Sequence, residues 1–558
     1  MSTTDLGRRC TLPDAANTPD KVTRLNLEHE ISVDIDMDRV NRPGIVRSFS
    51  FLFCALSAAT LIYATGFRYV RKLPAETFQN DFMFWEALLT PWGIAVAVVA
   101  TITLFSAWSL KWAELDGWKS LRWVVATNII IMTWSFSSYS INFYSGLQHG
   151  WDRALLLLLG VATLWRPRFI GLFLMQLGVI MAHLGDPLSY SWTDKSLSID
   201  LLLLIQLAVV ARRRIAVKEE HLLASILFVI AVHYVRPAVG KVALGWLWCD
   251  DLSNLFVGSY HQNSWPPGMS ESLVFCYAES ISTVGLLIKF LTLVVEFAPL
   301  FFLTGPRFVC WSLTLAIAMH LGIFVSSGIF FWKWILVDVM LVWAFSHLTP
   351  EMKVRLFSMQ TSVTFAVVVL SGCFFYQSAP ILAWYDSPMY DRFSVRVIGD
   401  SGSVYQVSAS QMAPFDLQFS QGRFWFADRE PRLINCLGSC FDRDRLIAVQ
   451  QIQTLEDLKA VRQRFGEQMF DASEKERLGD LLIRFVRRNP DSGCATLLKM
   501  IPKPPQHIWA YPDQRQPFKT WNWEEPVDRV QLLRTTGIRT SDGLNVLEET
   551  LLIDRNCL

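Results

Sequence analysis

The chain has 558 residues, of which 52% are hydrophobic and only 18% charged, and its net charge is +1. Soluble domains average about 25% charged residues, so composition argues against an ordinary soluble protein. The near-zero charge supplies no global field for nucleic acid or a strongly acidic partner.

Residues 1–43 are polar and of mixed charge. They lack the apolar core of a cleavable signal peptide and read as a partly disordered cytoplasmic tail. Apolar runs near the length of a bilayer span then follow: Ser48–Phe67, Phe84–Leu110, Leu121–Tyr139, Trp151–Trp165, Phe169–Leu184, Ile199–Ala211, Leu222–Val242, Ile281–Leu303, Phe308–Ile329, Trp332–His347 and Phe357–Tyr376. The pattern predicts an all-α polytopic membrane protein with about nine to eleven transmembrane helices over residues 44–384. Many of the 22 tryptophans flank these runs, as interfacial aromatic belts do.

Basic residues in short loops set orientation. Arg166 and Arg168, and the stronger cluster Arg212, Arg213 and Arg214, are expected on the cytoplasmic side with Lys111, Lys119 and Arg122. The Trp-containing loop Leu244–Glu279 and everything after Tyr376 then fall outside. Arg68, Arg71 and Lys72 break this pattern.

After Trp384 charged and polar residues dominate, and residues 385–558 read as a small extracytoplasmic α+β domain. Phe393–Val407 alternates around Gly399-Asp400-Ser401-Gly402, a hairpin signal. Phe415–Phe426 continues with strand character. Leu455–Phe465 and Ser473–Arg488 have helical spacing, and Trp521–Leu533 and Leu544–Ile553 return to strand. The ten cysteines are scattered and form no zinc set, so no metal is predicted. Spacing leaves open a disulfide between Cys249 and Cys276, and the states of Cys436 and Cys440.

The chemistry is expected between His221 and His347, where ionisable residues interrupt apolar runs; such residues are costly in a bilayer and default to function. His233, Tyr234, Arg236 and Lys241 end one helix, with Pro237 and Gly240 between them. Tyr234 and Lys241, seven residues apart, share a helical face. A lysine in a poorly hydrated pocket loses affinity for its proton and can act as a neutral base; a lysine at a helix end also snorkels to the headgroups. Lys289 and Glu296 are likewise seven apart and too distant to touch, so each needs a partner elsewhere. His320 lies in mid-span, and Asp338 is a weaker candidate. His183 and Asp186 flank a helix end and read as structural. Three neighbouring spans that each offer an ionisable group suit proton abstraction in a dry site or ion coupling in a transporter.

Residues 222–347 resemble the HTTM (horizontally transferred transmembrane domain) family, whose best-known branch is the vitamin K-dependent gamma-glutamyl carboxylases. The likeness rests on order and local pattern. An aromatic helix end closes in small residues and a lysine, Tyr234 to Val242. After a Trp-containing loop comes Glu296-Phe-Ala-Pro-Leu-Phe-Phe-Leu-Thr-Gly-Pro-Arg307, and then a mid-helix His320 with Gly and aromatics downstream to Trp332. The resemblance implies a membrane-embedded lyase or oxidoreductase in which Lys241 deprotonates a reduced, vitamin K-like quinone. Glu296 and His320 would orient groups or shuttle protons. The pocket would include His233, Tyr234, Arg236 and Lys289, with a peptide or protein as substrate. Gly240 stands where the carboxylases keep a second lysine, and the C-terminal domain is short for one that must hold a propeptide. Two other readings remain: an ion-coupled transporter, and a non-catalytic maturation or immunity partner that binds a protein through its C-terminal domain.

Overall fold

One helix, Glu219–Leu244, is enclosed by the others. The computed structural model describes residues 86, 88–112, 121–137, 150–183, 193–211, 219–249, 252–375, 387–413, 415–435, 438–440, 442–487, 501–540 and 543–557, with isolated positions from 54 to 59. All belong to one unit, Ile45–Leu558. The helices are α1 (Pro91–Ser106), α2 (Leu121–Ser137), α3 (Gly150–Trp165), α4 (Ile170–His183), α5 (Ser196–Ala211), α6 (Glu219–Leu244), α7 (Ser253–Asn263), α8 (Glu271–Phe297), α9 (Pro306–Ser327), α10 (Trp332–Ser346), α11 (Pro350–Leu356) and α12 (Met359–Phe375).

Three helical stretches among the described residues are long and apolar enough to cross a membrane: Glu220–Leu244, Glu271–Thr304 and Pro306–Ser327. A fourth candidate, α10 with α11, bends by 111°. Five further apolar helices have 10–17 residues. At a rise of about 1.5 Å per residue their described residues cover up to about 26 Å, against a hydrocarbon core of about 30 Å. Among the described residues, length alone therefore supports three or four spans. The Ser48–Phe67 run, the 1–43 tail and the orienting residues Arg68, Arg71, Lys72, Lys119 and Arg212 to Arg214 lie outside the described residues, apart from isolated positions in that run.

The three long stretches differ in environment. The apolar window of Glu220–Leu244 is 89% buried, against 33% and 28% for the other two. Its side chains from Leu222 to Val235 are almost all apolar and pack against α5, α8 and α12. By contrast, α8 and α9 expose Leu286, Leu287, Phe290, Leu291, Val294, Trp311, Leu315 and Val325. Contiguous exposed apolar faces of this size require a partner or a bilayer.

The loop expected at Leu244–Glu279 is largely helical, because α7 lies within it and α8 begins at Glu271 rather than Ile281. The Ser270 hydroxyl caps α8 by accepting from the Leu273 amide at 3.4 Å. Cys276 is an exposed free thiol, which removes the disulfide with Cys249. Cys440 is a buried free thiol, and Cys436 lies outside the described residues.

The C-terminal part is a five-stranded mixed sheet of order β3-β2-β1-β4-β5, with β1 Met389–Gly399, β2 Val404–Val407, β3 Lys519–Thr520, β4 Val527–Thr540 and β5 Gly543–Asn556. The expected hairpin forms: β1 and β2 run antiparallel with Val395 opposite Val407, and Gly402 takes the positive φ of 81° that the turn needs. The strand expected over Phe415–Phe426 is instead α13 (Asp416–Gln421) and a short 3-10 turn at Trp425–Ala427. Gly422, with φ of 62°, ends that helix, and its aromatics fill the core beside Phe393 instead of joining the sheet. Two helices follow as expected, α14 (Leu455–Phe465) and α15 (Ala472–Arg487). The latter buries Leu478, Leu481, Leu482, Phe485 and Val486, a helical stripe, against β4 and β5.

Residues 501–515 stitch this sheet to the helices. The Phe330 amide donates to the His507 carbonyl at 2.7 Å, Trp509 donates to Gly328 at 2.9 Å and Tyr511 to Asn263 at 2.8 Å. From the sheet, the Arg392 guanidinium donates to the His261 carbonyl at 2.9 Å and pairs with Asp513 at 3.0 Å.

Candidate functional site

The C-terminal half of α6 faces a cavity of about 490 Å3, within the usual range for small-molecule sites. Its polar lining is sparse, consisting mainly of His233, Tyr234, Lys241, Glu296 and His320. Aliphatic and aromatic side chains supply the rest. Three helices furnish the polar groups: α6, α8 through Glu296, and α9 through His320.

Lys241 forms an ion pair with Glu296, whose side chain is 8% exposed. The Lys241 side chain is only 12% exposed, and its nitrogen lies 5.3 Å from the centre of the Trp246 ring. The partner that Glu296 needs is thus supplied by the preceding helix. One carboxylate oxygen, Oε2, has no hydrogen-bond partner among the described residues. One oxygen balances the ammonium and the other keeps its accepting capacity.

The Tyr234 hydroxyl donates to Asp338 Oδ2 at 2.7 Å and accepts from His320 Nε2 at 2.9 Å. With the hydroxyl proton committed to Asp338, the His320 proton must sit on Nε2, an assignment made from the network. Nδ1 is then a lone pair, and it too has no partner among the described residues. Asp338 is fully buried. The weaker of the candidates in the sequence thus anchors the tyrosine that positions His320.

Other expected site residues are placed differently. His233 lines the cavity but is held from behind: Nδ1 donates to the Val229 carbonyl at 2.8 Å, and Nε2 lies 3.4 Å from Asp200. Lys289 does not line the cavity. Its ammonium donates to the Trp246 and Leu247 carbonyls at 3.3 and 2.9 Å, tying the turn after α6 to α8. Arg236 is partly buried and also lies outside the lining. The four-residue pocket expected in the sequence therefore reduces to His233 and Tyr234, because seven-residue spacing cannot say which face of α6 meets α9.

Aromatic rings close one end. Trp334 lies 5.6 Å from Tyr234 and 5.7 Å from His320, and Phe331 lies 4.6 Å from His320. The other side of the Phe331 ring meets His507 at 5.0 Å. Beyond it is a second, polar cavity of about 140 Å3 between the helices and the sheet domain. Its Asp194, Lys195, Lys333 and His507 were not singled out in the sequence. The signal was present in Lys333, a lysine inside an apolar run flanked by Trp332 and Trp334.

Replacing Tyr234 with Phe removes both bonds and leaves buried Asp338 without a partner among the described residues. We expect a loss of about 1–3 kcal/mol in unfolding free energy, measured in micelles; an unchanged midpoint would refute the bridging role.

His507 is held neutral. Burial, with Lys333 and Lys195, pushes its pKa down to about 4 despite the opposing field of Asp194. An unfolded histidine titrates near 6.5. The unfolded chain therefore binds more protons between pH 6.5 and 4, and stability falls as pH drops through that window. The histidine contributes up to about 3 kcal/mol of this loss. Comparing pH titrations of stability for the wild type and His507→Gln isolates the effect: the variant should have the shallower slope below pH 6.5, and parallel curves would exclude it.

Among the described residues no group of three or more His, Cys, Asp or Glu side chains is placed to hold a metal ion. Compared with protein-family models, curated proteins and solved structures, the chain finds no match.

Proposed function

We propose that this is a multi-pass membrane enzyme of the HTTM type that binds a lipophilic, quinol-like cosubstrate in the apolar cavity, with Lys241 as base. The observation that carries the reading is the Lys241–Glu296 pair in the wall of that cavity. The lining is shared with the exposed apolar face: Ile288, Leu291 and Leu315 line the cavity and are 38%, 50% and 49% exposed. A ligand dissolved in hydrocarbon can enter between α8 and α9 without crossing water.

The lining suits a flat ring with hydroxyl groups. Glu296 Oε2 and His320 Nδ1 are buried acceptors without partners among the described residues, and buried polar atoms are normally satisfied. A reduced quinone, when bound, supplies an acidic hydroxyl and the reducing power for the reaction.

The residues of this chain divide the remaining work. Lys241 passes its proton to Glu296 and presents a neutral amine to the cavity. His320 accepts at Nδ1 while Tyr234 and Asp338 hold its other nitrogen protonated. Trp334 and Phe331 exclude water, which strengthens each of these contacts. The order of residues in 222–347 supports the same family reading. With it go the remaining apolar helices as tilted or partial crossings, a cytoplasmic N-terminus, and an extracytoplasmic sheet domain that receives a peptide or protein substrate.

The test is native mass spectrometry of the purified protein, followed by assay of acidic peptides with reduced quinone. We expect a co-purifying isoprenoid quinone, and we expect Lys241→Met to insert normally while losing turnover at least a hundredfold, the scale of a lost general base. Absence of bound quinone together with no binding of added quinone would refute the reading.

A further inference from the structure

The polar cavity behind Phe331 has an unusual charge arrangement. Asp194 accepts from the Lys195 ammonium at 2.9 Å on each oxygen, and Lys333 also pairs with it. One carboxylate thus serves two ammonium groups. Burial alone would raise the pKa of Asp194, but the two lysines hold it well below the ordinary carboxylate range. Lys503 and Asp416 complete the charged lining. Three lysines therefore face two carboxylates, and burial pushes the Asp416 carboxyl up, weakening the second negative charge.

Lys333 is the residue to follow. It is 6% exposed, and an ammonium has three donors. Among the described residues one donor reaches Asp194, and the Trp332 ring lies 5.0 Å away. Two donors remain unused in a buried, polar space. Lys333 shares its one carboxylate with Lys195, and Lys503 on the exposed rim adds a third positive charge, so the lining carries more positive than negative charge. The volume of about 140 Å3 admits only a few heavy atoms. Asp194 and Asp416 would repel a second charge, and among the described residues no arginine fork lines the cavity to match a phosphate.

We propose that this cavity binds a small monovalent anion, held by the unused donors of Lys333 within the field of Lys195 and Lys503. The site is separate from the apolar cavity, and the inference does not rest on the base chemistry assigned there. The anion can be a free ion or a carboxylate carried on a peptide.

The experiment is titration of the full-length protein in micelles with sodium acetate, sodium bromide and N-acetylglutamate amide at constant ionic strength. Binding is read by calorimetry and by the thermal midpoint, with sodium gluconate as a bulky comparator. We expect saturable binding of acetate and bromide, none of gluconate, and for Lys333→Met an affinity about ten- to a hundredfold weaker, as for loss of a charged hydrogen-bond donor. Lys333→Arg should retain most of the binding. Competition between the glutamyl amide and acetate would assign the site to a chain-borne carboxylate, and binding of acetate alone would assign it to a free ion. Either supports the proposal. No saturable response to any of the three, or equal acetate affinity in Lys333→Met, would overturn it. If Lys333→Met does not fold, Lys503→Glu on the exposed rim decides, with weakened acetate binding expected and unchanged binding fatal.

Discussion

Replacing Glu296 with leucine should destabilise the protein by about 3–5 kcal/mol, the usual cost of stripping one partner from a buried ion pair. The Lys241 side chain is 12% exposed, so water cannot easily replace the lost carboxylate. The neighbouring Trp246 ring offers only a weak substitute for it. The informative comparison is the double variant Lys241→Met with Glu296→Leu. With both charges gone, most of the loss should be recovered, because a well-packed apolar pair is often as stable as the ion pair it replaces. The measurement is equilibrium unfolding in micelles for the wild type, both single variants and the double variant. Additive losses would show that the two residues act independently and would remove the pair from the proposed chemistry.

The second large effect is expected in the sheet domain. Arg534 sits in β4 with only 2% exposure, between Asp428 and Glu548, which accepts from it at 2.6 Å. Its cross-strand neighbours are Phe393 and Thr550. Arg534→Met leaves Asp428, itself 4% exposed, with its charge uncompensated. Arg462 also binds Glu548, at 2.9 Å, so that carboxylate keeps one partner. We expect a loss of about 3–5 kcal/mol, seen as faster hydrogen exchange through β4 and β5 in the full-length protein. A change below about 1 kcal/mol would mean that Asp428 finds another partner.

The parts of the fold that were legible in the sequence are those with a local signal. The hairpin at Gly399–Gly402, the apolar stripe of residues 472–487 and the long apolar run of α6 all form where their periodicity places them. Phe415–Phe426 was misread because a run of aromatics looks like a strand, while the choice of helix depends on what those rings pack against. The site was half legible. Lys241, Glu296, His320 and Tyr234 stand out as polar residues in apolar runs, and the structure brings them to one cavity. The partners were not legible: nothing local pairs Lys241 with Glu296 rather than leaving Lys289 near it, and nothing joins Tyr234 to Asp338 across 104 residues. Lys333 meets Asp194 across 139 residues, and His507 joins them because residues 501–515 fold back on the helices, a juxtaposition that no window of sequence contains.

The enclosure of the central helix has a consequence for biogenesis. Lys241 precedes its carboxylate by 55 residues, and Tyr234 precedes His320 and Asp338 by 86 and 104. At about 5–20 residues per second of synthesis, the lysine waits roughly 3–11 seconds for its counter-charge, and the tyrosine longer. During that interval the helix is newly made, polar at one end and without α8 and α12, which later pack against it. It must be held by the helices made before it, α5 among them, until the later ones emerge.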